Sequence, residues 1–216
     1  MIPRTWVILS DKRGDNGQVD TIVDALTWPV EQKYVHMRPE YVLGKPRYRP
    51  SLDHLDLSKS DSLEGPWPDL ILTVGRRPSM VALWVRKQSG NKTKIVLVGK
   101  PSGHMLDFSL VIASAENQMP PMHNFLPTTL PLMRVQPEDV STEALAWKTR
   151  FAALEKPLIA LLVGGETNPF IMNRSVADDL VATARWVIDD LGGTPYVTTS
   201  RRTTPAVVDV LRRELP

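Results

Sequence analysis

The chain has 216 residues, 42% apolar and 23% charged, which is ordinary for a water-soluble globular protein of one large domain or one domain plus part of another. A formal charge of +2, with basic residues spread rather than striped, gives no support for a nucleic-acid partner. The absence of cysteine excludes disulfides, thiolate metal sites and a cysteine nucleophile, and fits a cytoplasmic location.

In chain order, the first segment is MIPRTWVILSDKRGD. Its apolar run is too short for a signal peptide, and no window reaches the roughly 18 apolar residues of a membrane span. Thr5 to Leu9 reads as a buried parallel strand, stopping at Ser10-Asp11. DKRGDNGQ (11–18), with two glycines, reads as a polar loop. Val19, Ile22, Val23 and Leu26 then have the spacing of a helix face, ended by Pro29. Glu31 to Met37 is the next strand. Residues 38–68 sustain no period and read as an irregular excursion with one short helix. Asp69 to Gly75 returns to the sheet, and Ser79 to Gln88 is a helix with apolar positions at 80, 81, 84 and 85. Lys94 to Val98 and Phe108 to Ala113 are strands, and another short one lies near Phe125.

Glu143 to Leu154 reads as a helix and Lys156-Pro157 as a linker. LIALLVGG, from Leu158, is the most uniformly apolar strand of the chain. Val176 to Leu191 is a strongly periodic helix with Gly192-Gly193 behind it. A strand from Tyr196 to Thr199 and a helix from Ala206 to Leu211 complete the pattern. The fold class is therefore α/β throughout. A first domain spans 1–155 and a partial second unit 156–216, the latter thin for an independent core. The tryptophans with apolar neighbours, Trp84 and Trp186, read as core.

Two junctions carry the candidate chemistry. DLILTVGRRPS is strand, Gly75, Arg76-Arg77, then Pro78 suited to a helix start. TPYVTTSRRTTP repeats the arrangement with Ser200, Arg201, Arg202, Thr203 and Thr204. Strand C-terminal ends are where α/β sheets bind ligands, and a helix start adds free N–H groups and a positive dipole end. Paired guanidinium groups beside hydroxyls suit a phosphate or carboxylate, although capping alone accounts for either junction. Gly164 and Gly165 permit close backbone approach, with Thr167 and Asn168 adding polar groups. G-x-G-x-x-G and a P-loop are both absent, so neither motif supports a dinucleotide or a Walker-type site, and no cofactor is expected. The histidines at 36, 54, 104 and 123 lack metal-ligand spacing; His104 reads as a surface residue near the ligand-prone edge. No G-x-S-x-G elbow is present.

DKRGDNGQ, PDLILTVGRR, LLVGG and TTSRRTTP, occurring in this order, resemble the elongated-mitochondria (mitochondrial fission) family over the whole chain. The resemblance implies a Rossmann-like domain followed by a second, partial Rossmann-like unit. It also implies an architecture similar to two-domain GT-B glycosyltransferases, with a nucleotide-sugar held in a cleft. Family members usually run on further, so the chain is expected to be C-terminally short, with much of a donor site outside it. In that reading Asp11 or Asp15 acts as general base towards an acceptor hydroxyl, and Gly14, Asn16 and Gln18 line the sugar or phosphate. An Asx-type loop capping the helix is the alternative at that segment. Two other readings stay open: a non-catalytic interaction protein, with a protein partner or a peripheral membrane association, and an inactive truncated homologue.

Overall fold

The structure, a computed structural model, describes residues 2–41, 49–133, 137–166, 170–200 and 202–215, with the side chain of Asp139 excepted. It divides into two compact units, Met1–Val135 and Gln136–Pro216. The helix read as the end of the first domain thus belongs with the second unit.

The first unit is built on six parallel strands: β1 (Thr5–Leu9), β2 (Glu31–Tyr34), β3 (Leu70–Val74), β4 (Lys94–Val98), β5 (Leu110–Ser114) and β6 (Phe125–Thr128). Their order across the sheet is β2-β1-β3-β4-β5-β6. Parallel strands need cover on both faces, and β1 and β3 accordingly carry apolar residues on both. Trp6, Ile8 and Ile71 face one side, where helix α2 (Arg76–Gln88) packs Met80, Val81 and Val85 against them. Val7, Leu9, Leu72 and Val74 face the other, against Val19 of helix α1 (Arg13–Val23). This is a doubly wound, Rossmann-like layer. Its strand order reverses between β1 and β3, which makes their C-terminal ends the natural ligand crevice.

Three elements differ from the sequence reading here. Helix α1 begins at Arg13, so Gly14 to Gln18 lie in its first turns rather than in a loop. Glycine is a poor helix former, but tertiary anchoring overrides propensity: the Asn16 side chain donates to the Ser10 carbonyl (2.7 Å) and accepts from the Ser10 N–H (3.3 Å). Asp15 in the first turn adds a favourable charge at the helix's positive end. Helix α2 likewise begins at Arg76, placing both arginines and Pro78 in its first turn. Strand β2 stops at Tyr34, and Met37 instead forms an isolated antiparallel bridge with Leu55.

The later part of the excursion over 38–68, from Leu55 to Trp67, is anchored to the sheet. Leu55 and Leu63 are buried in the α2-side core, and Trp67 stands edge-on between Trp6 (centroids 6.3 Å apart) and Trp84 (6.1 Å). The short helix of the excursion is a single 3-10 turn at Pro39–Tyr41. Residues 42–48 lie outside the described residues.

The second unit contains α3 (Pro137–Ala152), β7 (Leu158–Val163), α4 (Arg174–Asp189), β8 (Thr194–Thr199) and α5 (Pro205–Glu214), with β7 and β8 paired in parallel. Asn173 caps α4 by accepting from the Val176 N–H (3.2 Å), and Pro205 opens α5. Val163, Ala177, Val181, Val207 and Leu211 form its core. The burial that the apolar composition of β7 suggests is not observed: Val163 is its one buried residue, and Leu162 is 81% exposed. Among the described residues β7 has a strand partner on one side only, and the face bearing Ala160 and Leu162 is incompletely covered. Trp186, read as core, is 51% exposed on α4, because the buried stripe of that helix runs through Ala177, Val181, Ala184 and Val187.

Candidate functional site at the C-terminal edge of the six-stranded sheet

Four consecutive strands, β3 to β6, end around a crevice of about 170 Å³. Val74, Val98 and Ile112 form its apolar floor; Ser114, Asn117 and Thr128 contribute polar groups; Asp15 and Gln18 close it from α1. Gly75 and Gly99 hold the strand ends in positive-φ conformations (76° and 93°), which turn the chain sharply off the sheet without a side chain in the way. Gly75 donates to the Val98 carbonyl (3.3 Å) and accepts from the Ser79 N–H (3.3 Å), tying β3, β4 and α2 together. A Cβ at Gly75 would lie 3.2 Å from a carboxylate oxygen of Asp15. The β1–α1 segment and the β3–α2 junction therefore meet, as the crevice at a topological switch point requires.

A second hollow of about 410 Å³ lies beside the edge strand, lined by Ser10, Asp11, Arg13, Asn16, Asp20 and His36 among others. The two carboxylates singled out in the sequence thus face different spaces: Asp11 the outer hollow, Asp15 the crevice. Asp15 is partly exposed, with the Lys12 ammonium 3.9 Å away. Asn16 lines the outer hollow but spends its amide on Ser10. Gly14 is exposed in the first turn of α1 and lines neither space. Burial, and then the neighbouring Asp24, push the Asp20 carboxyl above its ordinary value.

Arg76 is exposed and Arg77 half-buried at the start of α2. The Arg77 carbonyl lies 3.3 Å from Nε2 of His54, a buried residue that sequence spacing could not distinguish from the other histidines. Burial holds the His54 imidazole below its ordinary value of 6.5, with the Arg77 charge adding to this and the Arg77 carbonyl and Asp53 opposing it. The folded state therefore binds this proton less readily than the unfolded chain. Its contribution to stability is complete above pH 6.5 and is lost as the pH falls through the folded-state value. Urea unfolding at stepped pH checks this: the wild-type chain is expected to lose stability below that point, and His54→Asn to lose less. His104 is held by Asp107 (Nδ1 to carboxylate, 2.9 Å), and does not line the crevice.

In the second unit the two predicted junctions also meet, but they are stitched to one another. The Thr203 hydroxyl donates to the Gly164 carbonyl (2.6 Å) and accepts from the Ser200 N–H (2.9 Å). The Ser200 hydroxyl accepts from the Arg202 N–H (3.2 Å). A Cβ on Gly165 would overlap the Arg202 backbone, so Gly165 is needed for close packing of the two loops. Thr203 is buried and Arg202 exposed; Arg201, Thr167 and Asn168 lie outside the described residues. Among the described residues no cluster of His, Cys, Asp or Glu could hold a metal, and no helix is long and apolar enough to cross a membrane.

The family model for mitochondrial fission ELM1 matches residues 13–216. The chain belongs to the mitochondrial fission ELM1 family. That span takes in α1, the Gly75-Arg76-Arg77 junction, the Gly164-Gly165 strand end and the Ser200–Thr204 loop, so every block on which the resemblance was drawn falls within the ELM1 match, the first from its third residue. No curated protein and no solved structure matches the chain.

Proposed function

We propose that this ELM1-family chain binds a nucleotide-sugar or a related phosphorylated ligand at the C-terminal edge of its six-stranded sheet, as a glycosyltransferase-like protein. The observation that carries the reading is the meeting of Asp15 with Gly75 at the mouth of the crevice. It places a carboxylate, a side-chain-free strand end and the start of α2 side by side at the switch point of a doubly wound sheet. In this reading the exposed Arg76 and the half-buried Arg77 attract the phosphate, and Asp15 is the carboxylate placed to accept a proton from an acceptor hydroxyl. Asp11, in the neighbouring hollow, takes no part in that step.

A thermal-shift screen against UDP, GDP and their sugars tests the proposal. A saturating ligand at about 100 times its Kd adds roughly 2.7 kcal/mol to the state that binds it. A clear rise in the unfolding midpoint is expected with at least one nucleotide-sugar, reduced in Arg77→Ala. A folded sample that responds to none of them overturns the reading.

A second reading, a non-catalytic interaction protein, is favoured by a different observation. Leu162, Phe170, Ile171 and Trp186 of the second unit are exposed apolar side chains, 81%, 72%, 64% and 51% accessible respectively. Such residues suit a protein partner or a peripheral membrane contact.

A further inference from the structure

The residues lining the β3–β6 crevice do not have the chemistry of a phosphate site. Their charged members are the carboxylates of Asp15 and Glu116, and no lysine or arginine lines the space among the described residues. A phosphate, negatively charged and chiefly an acceptor, would face two carboxylates there, and Lys12 and Lys100 stand beside the rim rather than in its lining. Three of the donors at the rim are already committed within the protein, which leaves the Gln18 amide beside them. The Thr128 hydroxyl donates to the Leu130 carbonyl (2.8 Å), the Ser114 hydroxyl to Glu116 (3.2 Å), and the Asn117 amide nitrogen to the Ser114 hydroxyl (3.0 Å). What the rim offers a ligand is therefore mostly acceptors: carboxylate oxygens, amide oxygens and hydroxyl lone pairs.

An acceptor-rich rim selects a donor-rich ligand, either an ammonium group or an array of hydroxyls. The local charge decides between them. Lys12 Nζ lies 3.9 Å from Asp15, and Lys100 Nζ donates to the Asn117 carbonyl (3.1 Å), so cations already stand beside both sides of the rim. A further cation gains little, whereas neutral hydroxyls form charge-assisted hydrogen bonds with the carboxylates. The apolar floor of Val74, Val98 and Ile112 matches the C–H face of a sugar ring. At about 170 Å³ the space is smaller than the ~300–1,000 Å³ typical of whole-ligand pockets, so it admits one ring and leaves the rest of the ligand outside.

We propose that the β3–β6 crevice receives the neutral polyhydroxyl ring of a sugar, held by Asp15 and Glu116, and that the phosphate of the same ligand binds outside it. This rests on the ligand-binding reading above and assigns the parts of the ligand within it.

Titration of the isotope-labelled full chain, followed by amide resonances, tests the assignment. The probes are free N-acetylglucosamine, free glucose and inorganic phosphate. At least one monosaccharide is expected to shift the amides of Gly75, Gly99, Ser114 and Thr128 saturably, and inorganic phosphate to leave them in place. Asp15→Asn combined with Glu116→Gln is expected to weaken the monosaccharide about tenfold with the dispersion of the spectrum intact. The assignment is overturned if phosphate moves these amides and the sugars do not, if no monosaccharide moves them, or if the double variant binds unchanged. A nucleotide-sugar that stabilises the chain while the crevice amides stay still defeats this inference alone. Failure of every nucleotide-sugar to stabilise the chain defeats the broader reading instead.

Discussion

Trp6→Ala is expected to destabilise the first unit by about 3–5 kcal/mol, the range for removing a buried tryptophan from a packed core. Trp6 is 2% exposed in the interior strand β1 and meets Trp67 edge-on at 6.3 Å, while Trp67 meets Trp84 at 6.1 Å. Each edge-to-face pair contributes roughly 0.5–1.5 kcal/mol beyond its burial. The Lys33 ammonium also lies 4.9 Å from the Trp6 ring centroid. Loss of this side chain removes a support of Trp67 and of the Leu55 and Leu63 packing beside it. Urea unfolding gives the loss of stability, and hydrogen exchange is expected to quicken around Leu63 and Trp67 more than in β4 or β5. Trp186→Ala is the contrast: its half-exposed ring on α4 predicts a change within about 0.5 kcal/mol.

Gly75→Ala is expected to cost about 1–3 kcal/mol and to weaken ligand binding at the crevice as well. At φ 76° and ψ 170° the backbone occupies a region open essentially to glycine, so any side chain is strained whatever the space around it. The added methyl would also press on Asp15 at 3.2 Å, and because that carboxylate is partly exposed it yields by turning away from the crevice. Gly90→Ala separates the two effects. Gly90 also has positive φ (65°), but a Cβ there meets nothing within 4 Å and lies away from the crevice. Both variants are expected to lose stability in urea unfolding, and Gly75→Ala alone to lose affinity in calorimetric titration. Equal affinity in the two would remove Asp15 from the site.

The frame of the first unit was legible because its signals are local. Thr5–Leu9 and Lys94–Val98 are apolar runs of strand length, and both appear with the expected bounds. The helix starts were less legible: Gly14 and Gly17 suggest a loop, and only the clasp of Asn16 on Ser10, six residues back, shows why a helix forms there. Tertiary contacts of that kind leave no periodic trace. The excursion was unreadable for the same reason, since its order comes from Trp67, Leu55 and Leu63 reaching a core made elsewhere in the chain. The apolar run of β7 misled in the opposite direction. Composition reports what a strand can bury, and Leu162 is exposed because nothing among the described residues covers that face.

The candidate site was legible as a set of loops but not as an arrangement. Asp11 and Asp15, four residues apart, sit at the start of a helix and point into different spaces, a separation set by the true start of α1. Thr203 and Ser200 have the composition of an anion site, yet the Thr203 hydroxyl donates to the Gly164 carbonyl and the Ser200 hydroxyl accepts from the Arg202 N–H. Glu116, Asn117 and Thr128 line the crevice and carried no sequence signal, because β5 and β6 bring them to the sheet edge from unpatterned segments.

Hydrogen exchange of the full chain, with and without whichever nucleotide-sugar raises the unfolding midpoint most, tests whether the ligand sits at the C-terminal edge of the six-stranded sheet. Slowed exchange is expected in residues 12–18, 74–79, 98–100 and 113–117, the segments that surround the crevice. Protection confined to the second unit, or absent from all four segments while the ligand still stabilises the protein, would contradict that placement.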